Sequence, residues 1–330
     1  MIMAKYHVYG LGAALVDTEI EVTDSDLAVF NIEKGLMTLV DEPRQHELID
    51  NLQGHLVHSR RASGGSACNS IVAASNFGAC TYYSCKVAND ENGDFYLNDL
   101  KETGVHSNFV GDKADGITGK CLVMITPDAE RTMNTFLGVS ETLSESDIDE
   151  AIIADSEYVY FEGYLVTSDT GRAAAIKSRQ LAGKHNVKTS ISLSDPGMVQ
   201  FFKEGLLEMI GDGVDLLFCN KDEALGWADT QSIDEAIKAI KQVAKTFAIT
   251  LGADGALVFD GDDLVEIKPY AVNAVDTNGA GDMFAGAFLY GITHGMSFAQ
   301  AGDLASKAAS QVVADYGPRL SIDAHKALLA

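Results

Sequence analysis

The chain has 330 residues, and 24 lysines and arginines against 48 aspartates and glutamates give it a formal net charge of −24. At about 150 residues per domain this length predicts two domains or one large α/β domain with an appendage, and 46% hydrophobic residues exclude wholesale disorder. The acidic balance argues against nucleic acids and anionic membranes as partners, because binding to them needs clustered lysines and arginines.

The predicted elements alternate between strands and helices. In the first half they are a buried strand over 6–15, helices over 42–55 and 67–77, and a strand over 81–87. In the second half they are strands over 158–161, 188–193, 214–219, 247–251 and 256–259, and helices over 170–182, 232–245, 281–294 and 297–314. Strands separated by such helices indicate a parallel sheet with helices on both faces, and we expect the strand over 256–259 to be antiparallel.

Two segments interrupt this rhythm. Residues 18–40 and 118–137 alternate apolar and polar residues in places, which is typical of half-buried strands. We expect these two insertions to form a small sheet that covers a cleft as a lid. Because only 5 prolines occur and no proline-rich linker is found, residues 1–330 are interpreted as one domain.

The cysteines and histidines indicate neither a disulfide framework nor a metal site. The five cysteines lie among apolar or small residues, which is typical of buried thiols in a reducing compartment, and we expect a cytoplasmic protein. No stretch approaches the roughly 18–20 apolar residues of a membrane span, and no cleavable signal is recognisable.

The sharpest functional signal is the segment from Asp276 to Gly286. Gly279, Ala280 and Gly281 precede an apolar helix, so their backbone N–H groups and the helix dipole favour an anion such as a phosphoryl group. Asp282 lies beside that anion site and suits a base that takes a proton from an attacking hydroxyl. The alternative is an acidic residue that only complements the helix dipole.

Two other nucleotide-binding patterns are excluded. No GxxxxGK[ST] loop occurs, since Gly119-Lys120 is followed by Cys121. Gly10-Leu11-Gly12 is not a dinucleotide fingerprint, because its third position is Leu15.

Four segments together resemble the PfkB (ribokinase-like) family of sugar and nucleoside kinases. They are residues 276–288, residues 63–69 followed by 89–93, residues 220–223 with their NxxE spacing, and residues 250–255. The resemblance implies a ribokinase-like three-layer αβα sandwich with a mostly parallel sheet and a small β-lid. It also implies transfer of the γ-phosphoryl group of ATP, with Mg²⁺, to a primary hydroxyl of a nucleoside or a furanose sugar.

Within the family, residues 12–17, 65–70 and 131–138 are most similar to adenosine kinases. Adenosine kinases carry an asparagine near the base where this chain has Ala13, whose side chain cannot hydrogen-bond. Ala13 favours the alternative of a fructokinase-, ribokinase- or ketodeoxygluconate-kinase-like enzyme. An alternative of another class is a non-catalytic sugar- or nucleotide-binding protein.

The resemblance assigns roles to individual residues. It implies that Asp282 is the catalytic base, that Gly279, Ala280 and Gly281 form the anion hole, and that Arg131 in the lid closes on the phosphate. The implied substrate-binding residues are Asp17, Gly65, Asn69 and Tyr164. Tyr164 is equally well explained as a rim aromatic with no role.

The resemblance also assigns residues to the binding of ATP and metal ions. The resemblance implies that Asn220, Thr250, Gly252 and Gly255 shape the ATP pocket and that Glu223 organises Mg²⁺ through water. A helix cap is the alternative for Asn220 and Glu223. The carbonyl groups of Asp276 and Thr277 resemble part of a monovalent-cation site, for K⁺. A homodimer through a lid edge and a monomer both remain open.

Overall fold

A computed structural model describes residues 4–52, 63–107 and 113–329 of the chain. The strands are β1 (Tyr6–Leu11), β2 (Leu15–Glu21), β3 (Met37–Leu39), β4 (Ser63–Gly64), β5 (Thr81–Ser84), β6 (His106–Ser107), β7 (Thr118–Ile125), β8 (Arg131–Gly138), β9 (Ser156–Glu162), β10 (Lys188–Ser192), β11 (Val214–Asn220), β12 (Ala244–Thr250), β13 (Ala256–Phe259) and β14 (Leu264–Ile267).

The α-helices lie between and after these strands. They are α1 (Asp24–Val29), α2 (Glu42–Asn51), α3 (Ser66–Phe77), α4 (Glu91–Glu102), α5 (Glu150–Ala154), α6 (Asp169–His185), α7 (Pro196–Phe201), α8 (Lys203–Ile210), α9 (Lys221–Ala228), α10 (Ile233–Ile240), α11 (Ala280–Thr293), α12 (Phe298–Val312) and α13 (Ile322–Leu328). None of the described helices is long and apolar enough to cross a membrane.

The large sheet has nine strands in the order β14-β13-β12-β11-β10-β9-β1-β5-β6. From β12 to β6 in this spatial order, neighbouring strands pair in parallel. Strand β13 pairs antiparallel with β12 and with β14, as expected for residues 256–259. Side chains alternate between its two faces: Val159 and Phe161 pack in one core, and Tyr158 and Tyr160 in the other. The predicted mostly parallel sheet is confirmed.

Helices cover both faces of this sheet and complete three layers. Residues of α6, α8, α9 and α10 contribute to one buried core, with Ala174, Leu206 and Ile237 fully or almost fully buried. Residues of α3, α11 and α12 contribute to the other core, with Ile71 and Phe288 fully buried. The predicted αβα arrangement is therefore confirmed.

The smaller sheet has five strands in the order β3-β8-β7-β2-β4. Helices α1 and α2 cover one of its faces, where Ile20, Leu27 and Leu48 are buried together. We call this sheet with α1 and α2 the lid. It draws on the two expected segments, but residues 18–40 also contain helix α1 and β2 already begins at Leu15.

Several element boundaries differ from the sequence-based expectation. The strand expected over 6–15 ends at Leu11, and a new strand begins at Leu15 in the lid sheet. The helix expected over 232–245 ends at Ile240, because β12 already begins at Ala244, which pairs with β11. The helix expected over 42–55 ends at Asn51, and residues 53–55 lie outside the described residues.

Candidate active site

A cavity of about 480 Å³ lies between the lid and the carboxyl ends of the parallel strands. Open α/β sheets bind ligands at this edge. The residues singled out from the sequence that line it are Asp17, Gly65, Asn69, Arg131, Tyr164, Asn220, Glu223, Thr250, Gly252, Thr277, Gly279, Ala280, Gly281 and Asp282. Gly255 and Asp276 are not among its lining residues.

Gly279 caps helix α11 at the cavity. Its φ of +74° lies in the left-handed region, and a Cβ there would lie 2.5 Å from the Cα of Pro318, so only glycine fits. The N–H of Ala280 donates to the Thr277 carbonyl at 3.3 Å. Among the described residues no hydrogen bond occupies the N–H groups of Gly279 and Gly281, which leaves those two for an anion.

The Asp282 carboxylate lies beside this helix terminus and is held by helix α3. Ser66 Oγ donates to its Oδ1 at 2.6 Å, and Asn69 Nδ2 donates to its Oδ2 at 3.0 Å. Burial raises the pKa of Asp282, while these hydrogen bonds and the charges of Arg131 and Arg319 act in the opposite direction. A buried carboxylate with raised proton affinity suits a general base.

The Asp17 carboxylate faces the same cavity from β2. Its oxygens pack against Gly64, where a Cβ would lie 2.2 Å from them. Among the described residues no hydrogen-bond donor is assigned to it. Burial, and then the neighbouring Glu19 carboxylate, raise the pKa of Asp17 to about 8. An acceptor of this kind is available for hydroxyl groups of a ligand.

Gly65 and Tyr164 shape two further parts of the cavity wall. Gly65 has a φ of +97°, and a Cβ there would meet the Ala13 carbonyl at 2.3 Å. The hydroxyl of Tyr164 donates to the Ser194 carbonyl at 3.3 Å, which fixes its ring at the cavity wall. Ser194 itself has a φ of +74°.

One face of the lid forms an apolar wall of the cavity. On β8 the alternate residues Arg131, Met133, Thr135 and Leu137 all line it, as the two-residue period of a strand requires. The apolar side chains that the other lid strands add are those of Leu15, Met37 and Cys121. This wall stands next to Asp17 and was not predicted from the sequence.

Arg131 is the cation of that wall. Within the described part of the chain, its guanidinium forms no ion pair with a carboxylate, and its one hydrogen bond goes to the Met133 sulfur at 3.7 Å. A half-buried arginine without an ion-pair partner suits an anionic ligand.

Asn220 and Glu223 form a reciprocal helix cap at the end of β11. Asn220 N and Nδ2 donate to Glu223 Oε2 and Oε1 at 3.0 and 2.7 Å, and Glu223 N donates to Asn220 Oδ1 at 2.8 Å. Burial raises the pKa of Glu223 to about 7. Both residues also line the cavity, so the cap and a ligand-binding role coexist there.

Thr250 is the last residue of β12, Gly252 follows the strand, and both line the cavity. Gly255 instead closes the turn into β13: its φ is +93°, and a Cβ there would lie 2.1 Å from the Ile267 carbonyl. Gly255 is therefore needed for the turn and does not line the cavity.

The segment from Asp276 to Asn278 connects the helix terminus to the lid. The Asp276 carboxylate accepts hydrogen bonds from the N–H groups of Asn278 and Gly317. Thr277 donates through N and Oγ1 to the Ala129 carbonyl in the β7–β8 turn, at 3.3 and 2.9 Å. The lid turn and the loop before α11 are thus joined directly.

Glu162 and Arg319 are two buried charged residues that sequence reasoning missed. Glu162 accepts hydrogen bonds from the N–H groups of Ala13 and Ala67 at 2.8 and 2.7 Å, and burial raises its pKa to about 7. It ties the end of β1 to the start of α3. Arg319 contacts Asn69 from behind the cavity. Neither lies in a recognisable pattern, although Glu162 directly follows the predicted strand over 158–161.

The described residues contain no group of three or more histidine, cysteine, aspartate or glutamate side chains arranged to hold a metal ion.

Comparisons with known proteins indicate the family of the chain. A family model described as pfkB family carbohydrate kinase matches residues 35–325. The ribokinase of Staphylococcus aureus is 27% identical over 81% of this chain and 88% of that protein. The adenosine kinase of Saccharomyces cerevisiae is 27% identical over 93% of this chain and 95% of that protein.

Solved structures match across nearly the whole chain. The adenosine kinase of Sinorhizobium meliloti is 33% identical with a TM-score of 0.93, covering 99% of this chain and 100% of that one. A probable sugar kinase of Rhizobium etli is 33% identical with a TM-score of 0.92, covering 98% and 99%.

Proposed function

The chain belongs to the pfkB family of carbohydrate kinases, and we propose that within this family it phosphorylates the primary hydroxyl of a nucleoside, adenosine or a close analogue. Its general activity is that of a sugar or nucleoside kinase, which transfers a phosphoryl group from ATP in the presence of a divalent metal. The finer assignment concerns the acceptor, the metal and the role of each residue.

The apolar wall of the lid is the observation that carries the nucleoside assignment. Met133 and Leu137 of β8, with Leu15 and Met37, face the cavity next to Asp17. A flat, largely apolar base can bury itself against these side chains while its ribose hydroxyls reach the Asp17 carboxylate. A plain sugar would leave the wall without a partner and would need more polar groups.

Each of these residues then has a separate role in the reaction. Asp17, Gly65 and Asn69 hold the ribose, and Tyr164 flanks the base. Asp282 takes the proton of the primary hydroxyl as its oxygen attacks the γ-phosphorus of ATP. The N–H groups of Gly279 and Gly281 receive the charge of the transferred phosphoryl group. Ala280 supplies the helix turn between them, since its own N–H is engaged.

Arg131 and the lid complete the site. The guanidinium of Arg131, which has no ion-pair partner among the described residues, neutralises charge on the phosphoryl group. A closed lid excludes water and so suppresses hydrolysis of ATP. Asn220, Thr250 and Gly252 border the ATP side, and Gly255 supports them through its turn.

Mg²⁺ is the divalent metal that these residues suit. The donors near the ATP side are oxygens, and Mg²⁺ prefers oxygen ligands and retains several waters. Both Glu223 oxygens already accept hydrogen bonds from Asn220, so Glu223 would hold the cation through water. When bound, the cation neutralises charge on the polyphosphate. The carbonyl groups of Asp276 and Thr277 would face K⁺ behind the anion hole.

A furanose-sugar kinase is the second candidate. Ala13 favours it, because this residue lines the cavity and offers only a methyl group where a base would need a hydrogen bond.

The remaining assignments are a single domain over residues 1–330 with its lid, and the cytoplasm as compartment, which suits five free cysteines. A homodimer stays an alternative to a monomer.

ATP consumption across a panel of nucleosides and sugars tests this assignment. We expect turnover with adenosine or a related nucleoside, and weak turnover with ribose, fructose or ketodeoxygluconate. Preferential turnover of a free sugar would favour the second candidate. Binding without turnover anywhere in the panel would favour a non-catalytic protein.

A further inference from the structure

We propose that Arg319 is a positioning residue that sets the orientation of the Asp282 carboxylate through the side-chain amide of Asn69. The inference rests on the proposed role of Asp282 as the base. It assigns to the segment between helices α12 and α13 a part in the reaction that no sequence pattern indicates.

The segment from Gly317 to Arg319 runs along the rear of the active site. Gly317 N–H donates to Asp276 Oδ2 at 3.0 Å. Pro318 packs so closely on Gly279 that a Cβ there would lie 2.5 Å from its Cα. Arg319 Nε donates to Asn69 Oδ1 at 3.0 Å. Three consecutive residues thus contact the loop before α11, its N-cap and the substrate side of α3.

The guanidinium of Arg319 is itself fixed by several partners. Nη1 donates to Asp99 Oδ2 at 2.9 Å and to Ser63 Oγ at 3.1 Å, and Nη2 donates to the Ser63 carbonyl. Only 12% of the side chain is exposed. Because arginine presents its donors in a rigid planar fork, these bonds leave Nε directed at Asn69.

This contact determines which way the Asn69 amide points. A guanidinium only donates hydrogen bonds, and an ionised carboxylate only accepts them. Oδ1 of Asn69 must therefore face Arg319, and Nδ2 must face Asp282 Oδ2, which it meets at 3.0 Å. Without Arg319 the amide loses the partner that fixes its plane, so Nδ2 is no longer held in line with Asp282 Oδ2.

A loosely held amide would release the base. When Nδ2 moves out of line, Asp282 loses one of its two side-chain hydrogen bonds and can turn away from the position from which it meets the substrate hydroxyl. Ser66 Oγ would still hold Oδ1 at 2.6 Å, which keeps the side chain in the cavity but does not fix its plane. Positioning errors of this kind lower kcat more than they lower ATP binding.

The first test compares Arg319→Met with Arg179→Met. Arg179 Nε donates to the Met209 carbonyl at 2.9 Å on the helical face away from the cavity, so its loss is a matched control for removing a part-buried arginine. We expect Arg319→Met to lower kcat about 10- to 100-fold, the usual cost of losing a partner that orients a functional ligand, with KM for ATP changed by less than about 3-fold. Arg179→Met should keep kcat.

The second test is a double-mutant cycle with Asn69→Ala. If Arg319 acts through Asn69, Arg319→Met should lower kcat by less than about 3-fold in the Asn69→Ala background. An equal loss of kcat in both backgrounds, or an unchanged kcat in Arg319→Met alone, would overturn the proposal. Should Arg319→Met not fold, Arg319→Lys, which keeps a charge opposite Asp99, goes through the same cycle with the same expected non-additivity.

Asp282→Asn measured alongside separates the two levels of inference. If Asp282→Asn turns over near the wild-type rate, the base assignment fails, and the role of Arg319 fails with it. If Asp282→Asn is inactive and the cycle is additive, only the role of Arg319 is overturned.

Discussion

Asn69 donates a hydrogen bond to Asp282 at 3.0 Å, although the two residues are 213 positions apart in the chain. Asn69 belongs to helix α3, which follows one glycine turn, and Asp282 belongs to helix α11, which follows another. The contact joins the side of the cavity that holds Asp17 to the side that offers an anion site. A hydroxyl-bearing substrate and a phosphoryl group can therefore meet at one carboxylate.

Gly279→Ala should destabilise the protein by about 2–4 kcal/mol, because it forces a Cβ into a left-handed backbone and against Pro318. Gly281→Ala is the matched control: nothing lies within 4 Å of its Cβ position. It should leave the free energy of unfolding unchanged or slightly raise it. Urea denaturation of both variants measures this. Equal losses would show that the N-cap conformation is not required.

Arg131→Met should lower kcat about 100- to 1,000-fold while leaving the free energy of unfolding nearly unchanged. The reason is that this guanidinium has no carboxylate partner among the described residues, so its removal breaks no ion pair. Arg44→Met is the control within the lid, since Arg44 pairs with Glu47 on helix α2. Steady-state kinetics should show wild-type turnover for Arg44→Met. An Arg131→Met enzyme with unaltered kcat would remove Arg131 from the reaction.

Met133→Ala should separate nucleosides from sugars. Shortening this side chain removes apolar contact area from the lid wall, which should raise KM for a nucleoside about 10-fold and leave KM for ATP unchanged. Any residual turnover of a free sugar should not respond. Initial rates with adenosine and ribose measure the difference. A similar rise in KM for both would mean that the wall does not contact a base.

Asp17→Asn should stabilise the unliganded protein, and more at pH 8 than at pH 5. Burial raises the pKa of Asp17 to about 8, so the folded chain keeps a proton that the unfolded chain loses near pH 4. The wild-type free energy of unfolding therefore falls as pH rises through this interval.

Asp17→Asn has no such group to titrate, so its free energy of unfolding should not fall in this way. Its gain in stability over the wild type should grow by about 1–3 kcal/mol between pH 5 and pH 8. Urea titrations at both pH values provide the measurement, with the exposed lid substitution Glu33→Gln as control. Substrate affinity should fall in Asp17→Asn. An advantage that does not depend on pH would contradict the burial of this charge.

The sequence indicated most of the fold and the loops of the site for physical reasons. Glycines before α11 and α3 are needed at left-handed backbone positions, so Gly279 and Gly65 leave a local signal. Strand and helix periods likewise indicated the parallel sheet. No local signal in the sequence marks Arg319, because its partners Asn69 and Asp99 are 250 and 220 positions away. The same holds for the lid wall: alternation along β8 was visible, but its direction depends on pairing with β7.

Asp282→Asn tests the central claim most directly. The measurement is formation of nucleoside monophosphate from adenosine and ATP, together with calorimetric binding of both ligands. Asparagine keeps the shape of the side chain but accepts no proton, so we predict a loss of about 10²- to 10⁴-fold in kcat with both ligands still bound. Turnover by Asp282→Asn near the wild-type rate would contradict the account.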